Sequence, residues 1–239
     1  MKKINAFHLK LVAIIAMFIN HVGHTFELEF SNPLWDFAYL AIGLLTFPIM
    51  AYLLVEGFHY THNRWRYARR MAIFWILSIL PFYYVFQLNW AFIYPFNNIM
   101  FTLMMGIFMM VCCEKVKNPI KQGIIAFLFT LATVLSDWSL IGIPIIFAFY
   151  KNHGKPNRIK WIISSACFVL LLLSIPNQWT PEALANFFFP VGILATIPLL
   201  GNYNGQRGYS PAWVKWGFYA FYPIHLTLLL LLRLSLFGY

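Results

Sequence analysis

Lys10, His21 and His24 all lie within one apolar stretch, FHLKLVAIIAMFINHVGHTF, residues 7–26. An ammonium and two imidazoles are costly in hydrocarbon, so they belong against a protein interior or a wet cavity. On a helix the eleven-residue step from Lys10 to His21 is three turns plus roughly 20°. Both side chains then share one face, about 16.5 Å apart along the axis. His24 continues the stripe one turn later. A neutral, partly desolvated imidazole is a competent general base or nucleophile, and a lysine on the same line suits an anionic ligand. The stripe points to chemistry or transport more than to packing.

Four further places carry polar groups that a membrane helix does not keep cheaply. Glu56 sits in PIMAYLLVEGFHYTH with His59 at i+3, and Arg64, Arg66, Arg69 and Arg70 follow at once. Two readings stand: an interfacial Glu–His or Glu–Arg pair with snorkelling arginines, or an anion site built from clustered guanidiniums. Asn97, Asn98 and Thr102 open another apolar run, either capping a helix or lining a site. Asp137 falls at a helical break, either as a cap for the next helix or as a functional carboxylate. In Tyr219-Ala220-Phe221-Tyr222-Pro223-Ile224-His225-Leu226, the proline frees a carbonyl and kinks the axis. His225 follows it directly.

The elements that position these residues are membrane helices. The chain has 239 residues, 61% of them hydrophobic and only 10% charged, against about 25% charged in soluble domains. The fold class expected is all-α: a polytopic helical bundle, one domain over 1–239. Breaks between apolar runs give nine spans: 7–26, 35–59, 67–86, 95–113, 121–136, 138–150, 160–175, 183–200 and 213–235. Alternate connections are basic: Lys2-Lys3; Arg64, Arg66, Arg69 and Arg70; Lys115, Lys117 and Lys121; Lys151, Lys155, Arg158 and Lys160; Arg207 and Lys215. The others hold Glu27 and Glu29, the Gln87–Tyr94 stretch, Asp137, and Pro176–Glu182. Fifteen of the seventeen Lys and Arg fall on one side, Lys10 and Arg233 being the exceptions. The positive-inside rule makes that side cytoplasmic, with the N-terminus inside and the C-terminus outside. The pair 121–136 and 138–150 reads either as two short spans or as one re-entrant hairpin.

The net charge of +10 follows from this topology, so no nucleic-acid partner is expected. Lys10 interrupts the first run and no small-x-small cleavage site follows, so a retained helix is expected rather than a removed signal. Cys112, Cys113 and Cys167 show no disulfide or metal spacing. There is no glycine-rich phosphate loop, G-x-S-x-G or HExxH, and no metal is expected.

Taken in order, Lys10-x10-His21 with Val22-Gly23, FPIMAYLLVEGF with the basic YTHNRWRYARRM, NNIMFTLMMG and YAFYPIHL resemble the TraX family, whose namesake acetylates the N-terminus of a conjugative pilin. The resemblance runs from about residue 7 to 232, with little contribution from 121–200. Lys10-x10-His21 is also similar to the Arg-x10-His signature of the acyltransferase-three group. This chain has Lys10 in place of that arginine, and Asn20 where a TraX-like pattern favours aspartate before the histidine.

The resemblance implies acetyl (acyl) transfer from cytoplasmic acetyl-CoA to an amine or hydroxyl on a peptide, sugar or cell-envelope acceptor, in the cytoplasmic membrane. His21 is then the base or an acyl carrier, with His24 or His225 completing the proton path. Asn20, Asn98, Thr102 or Tyr222 is then an oxyanion donor, such a donor being worth about 3 kcal/mol. Lys10, Arg66, Arg69 and Arg70 meet the donor's phosphates, while Glu56, Asp137 and His24 face the acceptor. A proton-coupled transporter would also keep buried histidines and a kinked helix. A noncatalytic assembly factor would explain the hydrophobic bulk but not the histidine stripe.

Overall fold

The computed structural model describes residues 3–27, 32–87 and 92–238. Of the charges used for orientation, Lys2 and Glu29 lie outside them, as do residues 88–91 of the Gln87–Tyr94 connection. The regular elements are α1 (Ala6–Thr25), α2 (Pro33–Gly43), α3 (Thr46–Tyr60), α4 (Arg64–Phe86), α5 (Ile99–Glu114), α6 (Pro119–Ala132), α7 (Ser139–Lys151), α8 (Ile159–Leu173), α9 (Pro181–Phe188), α10 (Thr196–Gly201) and α11 (Ala212–Phe237). Short 3₁₀ segments occupy Pro156–Arg158 and Phe189–Ala195. Among the described residues no strand forms beyond one isolated bridge, Ile4 to Tyr203.

The sequence marks the helix starts plainly. Asn5, Asn32, Asn63, Asn98 and Asn118 each cap a helix, their side-chain oxygens accepting amides such as Arg66 N–H at 2.8 Å and Met100 N–H at 3.1 Å. Asparagine does this well because its short amide reaches the unpaired N–H groups of the first turn.

Among the described residues six helical segments are long and apolar enough to cross a membrane: Ala6–Thr25, Pro33–Tyr60, Arg64–Phe86, Pro156–Leu173, Pro181–Gly201 and Ala212–Phe237. The runs at 95–113, 121–136 and 138–150 become helices of 16, 14 and 13 residues, shorter than the ~20 residues that cross the hydrocarbon core. Two expected spans are also broken internally. The run 35–59 breaks at Leu44-Leu45, where Pro48 has no N–H to return to the Leu44 carbonyl; beside the break the Thr46 hydroxyl donates to the Ala13 carbonyl at 3.2 Å. The run 183–200 tightens into 3₁₀ at Phe189–Ala195, where Pro190 likewise removes a donor.

The helices gather into two compact units, Met1–Met50 with Lys155–Phe218 and Leu228–Tyr239, and Ala51–Gly154 with Tyr219–Thr227. In the first, α1 and α2 meet at glycines. A Cβ on Gly23 would fall inside the Tyr39 ring, and one on Gly43 would strike Asn20. Asn20 donates from its amide to the Tyr39 carbonyl at 3.2 Å, a bond that an aspartate has no hydrogen to make. That accounts for the amide where the family resemblance favours a carboxylate. The 3₁₀ segment closes on α2 so tightly that a Cβ on Gly192 would overlap the Ala41 backbone. In the second unit α5 is the central element, with Leu103, Ile107, Met109 and Met110 fully buried. It contacts α4, α6 and α7, and Gly106 makes room for Ile146 and Leu54.

Candidate functional site

The second unit brings together five of the residues singled out from sequence. Asn98 caps α5, and its amide nitrogen donates to Asn97 Oδ1 at 3.1 Å and to the Trp75 carbonyl at 3.4 Å. Asn97 in turn donates to Gln87 Oε1 at 3.0 Å. One turn along α5, the buried Thr102 hydroxyl donates to the Asp137 carbonyl at 2.8 Å and lies 2.7 Å from Ser136 Oγ. Tyr222 is fully buried, with its phenol in electrostatic reach of Asp137 and of the Ile99 amide.

Asp137 does not cap α7. The residue before that helix is Trp138, in the left-handed region at φ 64° with no side-chain cap. A bulky residue costs energy there. The surrounding bonds hold the turn regardless: Ser139 Oγ donates to the Val134 carbonyl at 2.6 Å and Gly142 N–H to the Trp138 carbonyl at 2.8 Å. The Asp137 side chain is thereby released from the helix. Burial pushes its carboxyl up to about 6, against a pull downward from the Trp138 amide.

His225 stands one turn beyond Tyr222, ring centroids 5.7 Å apart, and stacks on Phe221 at 4.4 Å. Its Nδ1 lies 2.7 Å from the Phe221 carbonyl. A carbonyl only accepts, so Nδ1 carries the hydrogen. In the neutral ring Nε2 is then the basic nitrogen. The imidazole is buried, and the hydrogen bond fixes both its tautomer and its orientation.

In the first unit His21 is buried, and its carbonyl accepts the Thr25 hydroxyl at 2.6 Å. His24 stands edge-on to Tyr39 at 5.0 Å, its Nδ1 3.6 Å from Glu27 Oε2. Beside it opens a cavity of about 350 Å³ lined by His24, Glu27, Asp36, Tyr39, Ser174 and Asn186, among others. Of this lining only His24 and Glu27 figure in the sequence reading. Residues scattered from 24 to 189 share no local spacing that would reveal a cavity. Lys10 lies at the other end of α1, half-buried, its Nζ 5.3 Å from the centre of the Phe218 ring.

Arg66, Arg69 and Arg70 belong to the second unit. Arg66 and Arg69 are exposed. Arg70 turns onto aromatic faces, 5.2 Å from Tyr67 and 5.9 Å from Tyr219, and its Nε donates to the Tyr219 hydroxyl at 3.4 Å. Arg64 pairs with Glu114 at 3.2 Å. Glu56 takes its partner from far along the chain: His153 Nε2 lies 2.9 Å from Glu56 Oε1. His59, the neighbour at i+3, donates instead to the Val55 carbonyl at 2.9 Å and stacks on His153 at 3.7 Å, the rings 4° from parallel. His153 escapes sequence reasoning because 97 positions separate it from Glu56. Cys113 is buried and Cys112 exposed. Among the described residues no group of three or more His, Cys, Asp and Glu side chains is gathered as a metal site would need.

Comparison with known proteins gives one family and one relative of similar length. The family model described as TraX protein matches residues 6–233. A relative in Dichelobacter nodosus, named probable fimbrial assembly protein FimC, serogroup H1, is 30% identical over 237 residues, covering 94% of each chain. No solved structure matches. With the family model covering nearly the whole chain and a relative matching over 94% of it, this membrane protein belongs to the TraX family.

Proposed function

We propose that the protein is a multi-pass acyltransferase of the cytoplasmic membrane, with nine spans and its N-terminus inside, moving an acetyl or other acyl group from cytoplasmic acyl-CoA to an amine or hydroxyl acceptor of the cell envelope. The observation that supports it best is His225. A buried imidazole has its Nδ1–H tied to the Phe221 carbonyl and its Nε2 left basic, one turn from Tyr222 and in the unit that holds Thr102 and Asp137. Such a base takes the acceptor's proton as its nitrogen or oxygen attacks the thioester carbonyl. The new C–N or C–O bond forms, the C–S bond breaks, and the imidazolium returns the proton to the departing thiolate. The Tyr222 hydroxyl serves as a donor to the developing oxyanion. His21 is the base that the family resemblance assigns, and the two histidines are tested separately.

The test is thiol release from acetyl-CoA by the protein in nanodiscs. His225→Ala or His21→Ala is expected to lower it by about 10²–10⁴-fold, the usual worth of a positioned base. If both variants release thiol at the wild-type rate, this mechanism is wrong. The relative's name supports a second reading, a pilus-assembly factor without transfer chemistry. In that case pilus assembly depends on the chain but survives both histidine substitutions.

A further inference from the structure

Neither base of the proposed mechanism lines the cavity beside His24, which lies wholly within the first unit. It holds about 350 Å³, a volume in the ordinary range for small-ligand sites and too large for a bare ion. Four of the candidate spans end around it: Ala6–Thr25 and Pro156–Leu173 finish there, and Pro33–Tyr60 and Pro181–Gly201 start there. His24 and Glu27 bracket the end of the first of these. Asp36 lies in the first turn of α2, Ser174 directly follows α8, and Asn186 is in the second turn of α9. A cavity framed by four span ends sits at the level where hydrocarbon gives way to water.

Two of those ends are C-terminal and two are N-terminal, so the helix dipoles offset one another. At the N-terminal ends, Asn32 and Thr180 already accept first-turn amides, from Trp35 at 2.9 Å and Ala183 at 3.2 Å. Side chains therefore set the sign of the field. The lining carries two carboxylates, Glu27 and Asp36, against one imidazole, and among the described residues no lysine or arginine joins them. His24 Nδ1 lies 3.6 Å from Glu27 Oε2. Ser174 and Asn186 add a hydroxyl and an amide oxygen as neutral acceptors. Leu40 and Phe189 complete the wall with apolar surface, and Leu173, Trp179 and Phe188 on the adjoining chain are exposed. Tryptophan is at home at the headgroup level of a bilayer.

We propose that this cavity holds the primary ammonium headgroup of a membrane phospholipid. The carboxylates and neutral oxygens accept the three N–H groups of the ammonium, and the acyl chains lie along the exposed apolar side chains. Charge calls for a cation, volume for more than a metal ion, and membrane depth for a ligand that the bilayer itself supplies. A trimethylammonium headgroup has the same charge but no N–H to give. An anionic headgroup meets two like charges.

The experiment is native mass spectrometry of the full chain in detergent, titrated with phosphatidylethanolamine, phosphatidylcholine and phosphatidylglycerol of identical acyl chains. Wild type is expected to retain the ethanolamine lipid at a concentration lower by about tenfold or more, the worth of one charge-assisted hydrogen bond. Glu27→Gln and Asp36→Asn should each remove most of that preference. Glu182→Gln, at the same membrane level but off the cavity wall, should leave it intact. Equal retention of the three lipids by wild type, or an unchanged preference in both cavity variants, overturns the site. Free ethanolamine in excess should displace the lipid from wild type and free choline should not, a comparison that needs no variant to fold. Equal displacement by the two overturns it as well. If a short apolar peptide with a free N-terminus binds in preference to the lipid, and its N-acetylated form does not, the lipid assignment fails. No acyl donor enters these measurements, so neither loss nor survival of thiol release alters their outcome.

Discussion

His225 separates structural from chemical roles within one ring. Nδ1 satisfies a carbonyl of the preceding turn, and Nε2 is the basic nitrogen. Asparagine places an amide N–H close to where Nδ1 stands but has no counterpart of Nε2. His225→Asn is therefore expected to melt within a few degrees of the wild type while losing thiol release as fully as His225→Ala. A collapse of both together would reduce the histidine to a packing residue. Asp137 titrates within reach of ordinary assay conditions. Its folded value of about 6 lies above the 3.8 of an unperturbed carboxyl, so the protonated form is the one that the fold favours. The contribution to stability is complete below about pH 4 and is lost as pH rises through 6. Melting temperature measured from pH 4 to 8 should fall with rising pH in the wild type, and the fall should be shallower in Asp137→Asn. Parallel curves would show that the carboxyl is not held in its neutral form.

At the scale of elements, glycines set how closely helices approach. Gly192 faces the Ala41 backbone, and a backbone cannot rotate out of the way of a new methyl group. Gly192→Ala is expected to destabilise the first unit by about 1–3 kcal/mol, the cost of overpacking, seen as a lowered melting temperature in detergent. Gly217 in α11 has nothing within 4 Å of a Cβ, so Gly217→Ala should leave that temperature unchanged or slightly raised. Equal effects at the two positions would mean that the close approach carries no energy. The α6–α7 turn follows the opposite rule: Trp138 occupies a left-handed conformation without being glycine. There the Thr102, Ser136 and Ser139 hydroxyl bonds hold the backbone in place, and the result is an Asp137 carboxyl freed from capping duty.

At the scale of the molecule, charge placement governs the membrane reading. The proposed nine spans with an inside N-terminus would put Asn118 and Gly205 on the cytoplasmic side and Asn177 outside. Single cysteines at these positions, in a chain whose three native cysteines are replaced, test this directly. An impermeant maleimide applied to intact cells should label Asn177→Cys alone, and label at Asn118→Cys would overturn the orientation. The short α5, α6 and α7 are the elements most exposed to such a test, since none has the ~20 residues of a full crossing.

Composition and local order determined the class of this protein. A chain this apolar cannot avoid membrane helices, asparagines before apolar runs start them, and a histidine stripe is a matter of helical period alone. The ordered motifs were also enough to indicate the family, because they are read along one dimension. Partnerships across long separations were not legible: Glu56 with His153, and Thr102 with the Asp137 carbonyl. A hydrogen bond or a Coulombic contact depends on distance in space, and no sequence period encodes which distant turn folds back to meet a given helix. The breaks at Leu44-Leu45 and Phe189–Ala195 belong to the same class. Proline marks where a donor is missing, but only the tertiary structure decides what packs beside the break.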